Sequence, residues 1–183
     1  MVTFVAGGMP RLRRIKVRAL PGSPGRGVLL AGGLALRCAL GRSGIGSAKR
    51  EGDGKTPAGS YPALRAFWRA DRLARPQAGL PLCAIAADGG WCDDPQDRNY
   101  NRPVRLPYAA STERMRRPDG LYDIVVDLAW NRGPIRKRLG SAIFLHVASE
   151  AYRPTEGCVA LSLADLRRLL PRIGPCTLFE VKR

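Results

Sequence analysis

Histidine is almost missing from this chain. His146 is the only one in 183 residues, and none of the five cysteines (Cys38, Cys83, Cys92, Cys158 and Cys176) belongs to a Cys-x-x-C pair. One histidine cannot complete the usual Cys/His zinc sets, so neither a structural nor a catalytic zinc is expected. An odd number of cysteines leaves at least one thiol outside any intramolecular disulfide, and the spacing does not pair the other four. Long apolar runs are absent, so no segment is expected to insert stably in a membrane. The N-terminal "MVTFVAGGMPRLRR" does not read as a secretory signal, because its apolar stretch is short and the basic cluster follows it. Acidic residues are few: 15 against 31 Lys and Arg, a formal charge of +16. Such a surface attracts polyanions. Aromatics make up only 7% of the chain, and none interleave with the densest basic run, "RLRRIKVR" (Arg11–Arg18). A nucleic-acid-binding module therefore lacks its usual motif, and most of the cations read as a solvated surface.

Glycine and proline, by contrast, are plentiful, at 21 and 15, spread along a chain of which 45% is hydrophobic. Frequent turns in one domain-sized chain predict a mostly β architecture with one or two short helices. Residues 1–13 read as a basic extension and 14–183 as a single domain. "RIKVRAL" (Arg14–Leu20) alternates as a strand, and "PGSPGRG" is expected to break it. "VLLAGGLALRCAL" (Val28–Leu40) reads as a hairpin about Gly32-Gly33. Gly41–Tyr61 is a glycine-rich loop, Ala63–Trp68 fits either strand or helix, and Leu80–Tyr108 reads as a long functional loop or lid. Leu121–Asn131 and Ala142–Ala148 are strands. In the second, Ile143, Leu145 and Val147 share one face, and Phe144, His146 and Ala148 the other. Ser162 and Asp165 fit the N-cap and N3 positions of a helix carrying Leu163, Leu166, Leu169 and Leu170 on one side, and "CTLFEVKR" closes the chain as a strand. "GDGKT" (Gly52–Thr56) imitates the end of a phosphate-binding P-loop. That motif needs a glycine at position 49, where Lys49 stands, so nucleotide binding is not expected.

The chemistry concentrates in "FLHVASEAYRPTEGCVAL" (Phe144–Leu161). A thiol is a poor nucleophile until a base removes its proton, and histidine is the usual base. The loop after the His146 strand is long enough to fold Cys158 back beside it. Gly157 permits a sharp turn with backbone N–H groups aimed at one point, as an oxyanion hole requires. The residues alone also fit a buried core histidine near an incidental cysteine.

In this stretch the chain resembles the L,D-transpeptidase catalytic domain, the YkuD family. His146 matches the family's strand histidine. Thr155, Gly157 and Cys158 match three residues of its Ser/Thr-His-Gly-Cys turn, and Val159 the apolar residue after it. Thr56, Pro57, Gly59 and Tyr61 match its Thr-Pro-x-Gly-x-Phe/Tyr hairpin; "WCDDPQDRNYN" and "YDIVVDLAWN" resemble segments of one bacterial branch. Glu156 departs from the usual second histidine and Ala160 from the usual Arg or Asn. The resemblance runs from about Arg14 to the C-terminus. It implies a β-sandwich-like catalytic domain in the periplasm or cell envelope that acts on peptidoglycan stem peptides. Cys158 would form a thioester, and His146 would act as general base with its tautomer held by the Val147 carbonyl. The N–H groups of Glu156, Gly157 and Cys158 would hold the oxyanion. Arg98, Tyr100, Asn101, Arg153 and Glu156 are expected to contact substrate, Glu156 by orienting an amine acceptor. No metal or organic cofactor and no nucleic acid are implied. A cysteine hydrolase trimming stem peptides on the same fold is the alternative reading, and a basic nucleic-acid module the second.

Overall fold

The computed structural model describes residues 10–183; residues 1–9, most of the expected basic extension, lie outside the described residues. Strand β1 (Leu12–Leu20) starts two residues before its expected position and turns at Pro21-Gly22 into β2 (Ser23–Ala31). The expected break at "PGSPGRG" is thus only two residues wide. Its later glycines lie inside β2. A Cβ on Gly27 would sit 2.4 Å from the Arg18 carbonyl oxygen and 2.7 Å from Leu40 Cδ1, so glycine here marks a close approach and not a turn. The Gly32-Gly33 hairpin forms as expected and leads into β3 (Leu34–Ala39).

The glycine-rich loop holds a two-residue parallel pair, β4 (Ile45–Gly46) and β5 (Thr56–Pro57), and then β6 (Gly59–Trp68), which resolves the ambiguous segment as strand. Next come β7 (Leu82–Ala84), β8 (Gly89–Cys92), β9 (Arg102–Arg105) and β10 (Thr112–Arg114), followed by β11 (Ile124–Leu128), β12 (Phe144–Val147) and β13 (Val159–Leu161). Helix α1 (Leu163–Leu169) has the expected cap: Ser162 Oγ accepts from Asp165 N at 3.1 Å. A 3₁₀ turn links it to β14 (Ile173–Lys182).

The main sheet runs β11-β12-β13-β3-β2-β1-β14-β6-β7, and β6 also pairs with β11. Eight strands therefore close on themselves, with β7 attached outside the ring. Alternation sends Ile15, Val17, Leu29, Val126, Leu145, Phe179 and Val181 into the interior, each fully buried or nearly so, together with Leu166 and Leu169 of α1. Outside β11 and β12 lies a second apolar layer. Here the expected long loop Leu80–Tyr108 carries three short strands, β7, β8 and β9, and the last two form a three-stranded sheet with β10. Its Trp91 packs edge-on against Phe144, with ring centroids 4.9 Å apart. "GGWC" and "RPVR" carry too little alternation to announce strands. They pair because Trp91 needs the cover of Phe144, Met115 and Tyr122.

Candidate active site

β12 and β13 run parallel, with Leu145 opposite Val159 and His146 opposite Ala160. Extending that ladder by one step puts Cys158 opposite Phe144, and Phe144 N donates to Cys158 Sγ at 3.3 Å. The Cys158 and His146 side chains consequently project from the outer face of the barrel, diagonal neighbours on adjacent strands. Both line one cavity of about 940 Å³.

His146 is buried, with 5% of the residue exposed. Its Nδ1 lies 2.8 Å from the Val147 carbonyl oxygen, which can only accept, so Nδ1 carries the proton and Nε2 keeps its lone pair. Tyr122 packs edge-on against the ring at 5.3 Å. Burial lowers the histidine pKa to about 4 against the opposing pull of the Val147 carbonyl. Burial likewise pushes the Cys158 thiol up to about 12. Cys158 Sγ donates to the Ala142 carbonyl at 3.1 Å. The site thus holds a neutral thiol turned toward Ala142 and a neutral imidazole in the same cavity. Among the described residues the two share a cavity but no hydrogen bond, and a resting thiolate–imidazolium pair is disfavoured.

The turn before the cysteine is held from both ends. Thr155 Oγ1 donates to the Cys158 carbonyl at 2.7 Å and accepts from Gly157 N at 3.1 Å. Thr155 N donates to the Leu40 carbonyl, and Arg42 N to that of Thr155. The Gly157 N–H, one of the three expected oxyanion donors, is therefore engaged by Thr155 in this state. Gly157 itself has φ +138°, and a Cβ there would meet Lys55 O at 2.8 Å and Ile143 Cδ1 at 3.3 Å. Gly157→Ala is expected to lower stability by about 2–3 kcal/mol, through backbone strain and steric conflict with the Lys55 carbonyl. Thermal unfolding of the variant measures this; an unchanged transition would mean that the turn relaxes freely.

The cavity walls carry charge of the opposite sign to the molecule. Glu51, Asp93, Glu113, Asp119, Glu150 and Glu156 line it, against Arg117 and Arg153: six of the chain's 15 acidic residues and two of its 31 basic ones. Glu113 accepts from Tyr122 Oη at 2.7 Å and lies 3.5 Å from Arg117; burial raises its pKa. Arg117 holds the Asp119 carboxyl below its ordinary value. Glu156 is exposed and meets Arg42 Nε at 3.0 Å through both carboxylate oxygens, a solvent-facing pair worth little by itself.

Of the residues expected from the sequence, Cys158, His146, Glu156 and Arg153 line the cavity, and Gly157 sits in the turn beside them. Tyr100 and Asn101 are buried behind the wall. Tyr100 Oη bonds Glu51, which does face the cavity. Asn101 Oδ1 accepts from Trp91 Nε1 and Ala142 N, both at 3.1 Å, and its Nδ2 donates to the Trp130 and Asn131 carbonyls. Asn101 thereby fixes Ala142, whose carbonyl accepts the hydrogen bond from the Cys158 thiol. Arg98 is exposed and away from the cavity. Glu113, Arg117 and Tyr122 were not expected. Glu113 and Arg117 lie in "TERMRRPDG", where only an i,i+4 charge pair hints at them. No group of three or more His, Cys, Asp or Glu side chains among the described residues could hold a metal ion.

These features define a β-barrel domain with a cysteine and a histidine in one cleft. The family model of the L,D-transpeptidase catalytic domain, YkuD, matches residues 27–181, so the chain belongs to that family. Searches of curated proteins and of solved structures return no match.

Proposed function

We propose that the protein is a peptidoglycan L,D-transpeptidase that joins stem peptides through a thioester on Cys158. The observation that carries this reading is the placement of Cys158 and His146 on one face of adjacent parallel strands, lining one cavity, with the imidazole tautomer held by Val147. The thiol proton passes to Nε2 of His146 as Sγ attacks a stem-peptide carbonyl. Collapse of the tetrahedral adduct breaks the peptide bond, and the leaving amine takes the proton from the imidazolium. An incoming amine then loses a proton to Nε2, attacks the thioester, and releases the thiol as the new amide forms. The acidic wall supports an amine as acceptor, because carboxylates near the acyl group favour an ammonium ion and disfavour a second carboxylate. The family's action on the cell wall implies an envelope location, and no helix among the described residues is long and apolar enough to cross a membrane.

Incubation with purified peptidoglycan and a free amine acceptor, followed by mass analysis, tests the reading. Cross-linked or amine-exchanged muropeptides are expected; shortened stems alone would assign a hydrolase. Glu156 orients the acceptor in this scheme. Its exposure and its pairing with Arg42 limit the effect. Glu156→Gln is expected to leave acylation of Cys158 nearly intact and to lower the transfer-to-hydrolysis ratio about two- to fivefold. An unchanged ratio removes Glu156 from acceptor selection.

A further inference from the structure

The ring of eight strands places β1 diametrically opposite β12, with β2 opposite β11 and β14 opposite β13. The catalytic cleft covers the outside of the β11–β13 side. On the far side, the outer face of β2, β1 and β14 carries neither helix nor sheet among the described residues. Its composition is unusual. Ile15, Val17, Leu29, Phe179 and Val181 point inward, so their neighbours point out. The register sets Lys16 between Leu30 and Glu180, Arg18 between Val28 and Lys182, and Arg14 beside Leu178. Glu180 is the one anion of this group, and it pairs with Arg14 at 2.7 Å. Lys16, Arg18 and Lys182 make no salt bridge among the described residues. The exposed large hydrophobics among the described residues are Leu20 (42%), Leu30 (39%) and Leu178 (38%), all on these three strands.

We propose that this face docks the domain on an anionic phospholipid surface. The cations meet headgroup phosphates, and the leucines set among them enter the boundary with the acyl chains. The leucines decide between partners. A soluble polyanion gains from the cations but nothing from leucines, and this face offers no exposed aromatic ring on which nucleic-acid bases could stack. A lipid surface rewards both side-chain types at once. The attachment is peripheral and reversible, and salt weakens it. Docking through β1 turns the cleft on β12 away from the bilayer. That orientation has a use only if the catalytic reading above holds, whereas the docking itself does not depend on it.

Co-sedimentation of the full chain with vesicles tests the proposal. Binding to vesicles containing phosphatidylglycerol is expected, with little binding to phosphatidylcholine alone and release as salt is raised. Each cation removed should weaken binding about fivefold, so Lys16→Gln, Arg18→Gln and Lys182→Gln together should weaken it about 100-fold. Leu30→Ser with Leu178→Ser should also weaken vesicle binding but leave binding to heparin unchanged. Circular dichroism and thermal unfolding check the fold of each variant, and turnover on soluble muropeptides, where wild type shows it, should be untouched. Failure to bind anionic vesicles overturns the proposal, as does binding that ignores the leucines and follows heparin affinity, which would assign a soluble polyanion instead. Vesicle binding without muropeptide turnover would keep the docking face and reject the catalytic reading.

Discussion

Cys158→Ala is expected to abolish transfer and hydrolysis while the protein stays folded. The thioester route has no substitute for Sγ, so activity should fall at least about 10⁴-fold, to the background of the assay. The cost to the fold is modest by comparison. Alanine removes one sulfur atom from the layer formed by Phe144, Tyr122 and Ala142, and it leaves Phe144 N without its 3.3 Å partner. One buried donor left unpaired and one small void amount to about 1–3 kcal/mol. The measurement pairs a muropeptide assay with thermal unfolding of the same preparation. A folded Cys158→Ala protein that still turned over substrate would place the nucleophile elsewhere. Cys158→Ser refines the test: the hydroxyl can still donate to Ala142 but is much harder to deprotonate, so a more stable yet inactive protein is expected.

How much of this could be read from the sequence depended on whether the decisive interactions were local. The alternation in "RIKVRAL" and "AIFLHVA" sets which side chains face the barrel interior, so the outward direction of His146 followed from the position of Leu145 alone. The cap of α1 was equally local, a Ser and an Asp three residues apart. The closure of the sheet was not. It rests on β1 pairing in parallel with β14, from opposite ends of the chain, and on β6 joining β14 to β11. No periodicity encodes such pairings. The cleft divides the same way. The motif picked out Cys158, Gly157 and His146 because they lie close together in the chain and share one turn. Glu113 and Tyr122 enter through a hydrogen bond between the short strand β10 and the turn before β11, where a strand was expected from Leu121. Asn101 was legible as important but not in its role. An asparagine in a polar loop suggests a ligand contact, and only the fold shows its amide satisfying Trp91 and Ala142 behind the wall.

His146→Gln should separate a base from a merely buried ring. Glutamine can accept a hydrogen bond but cannot take a proton at neutral pH. The wild-type imidazole stays neutral down to about pH 4, and the thiol is held near 12. Neither group charges alone in this cavity. In the proposed mechanism the thiolate forms near neutral pH as Sγ leaves the Ala142 carbonyl and its proton passes to Nε2, so that the two charges arise in contact. The variant loses that route. Turnover, and alkylation of Cys158 by iodoacetamide near pH 7.5, should fall about 10²- to 10⁴-fold. At alkaline pH the loss should shrink, because hydroxide then supplies the thiolate. A second readout comes from stability. The His146 pKa is lowered on folding from 6.5 to about 4, so the unfolded chain binds the extra proton first. Stability from this group is fully present above about pH 6.5 and is lost as pH falls toward 4, by about 3 kcal/mol in all. The glutamine variant lacks this loss. Asp127, pushed up to about 6 by burial, and Asp53, Asp97 and Asp119, held low, contribute to pH dependence in both proteins and drop out of the comparison. Denaturant unfolding of both at pH 7 and pH 4.5 should therefore show a steeper acid decline in wild type. Equal declines would mean that the ring takes up its proton as easily folded as unfolded, and unchanged alkylation across the pH range would remove His146 from control of the thiol.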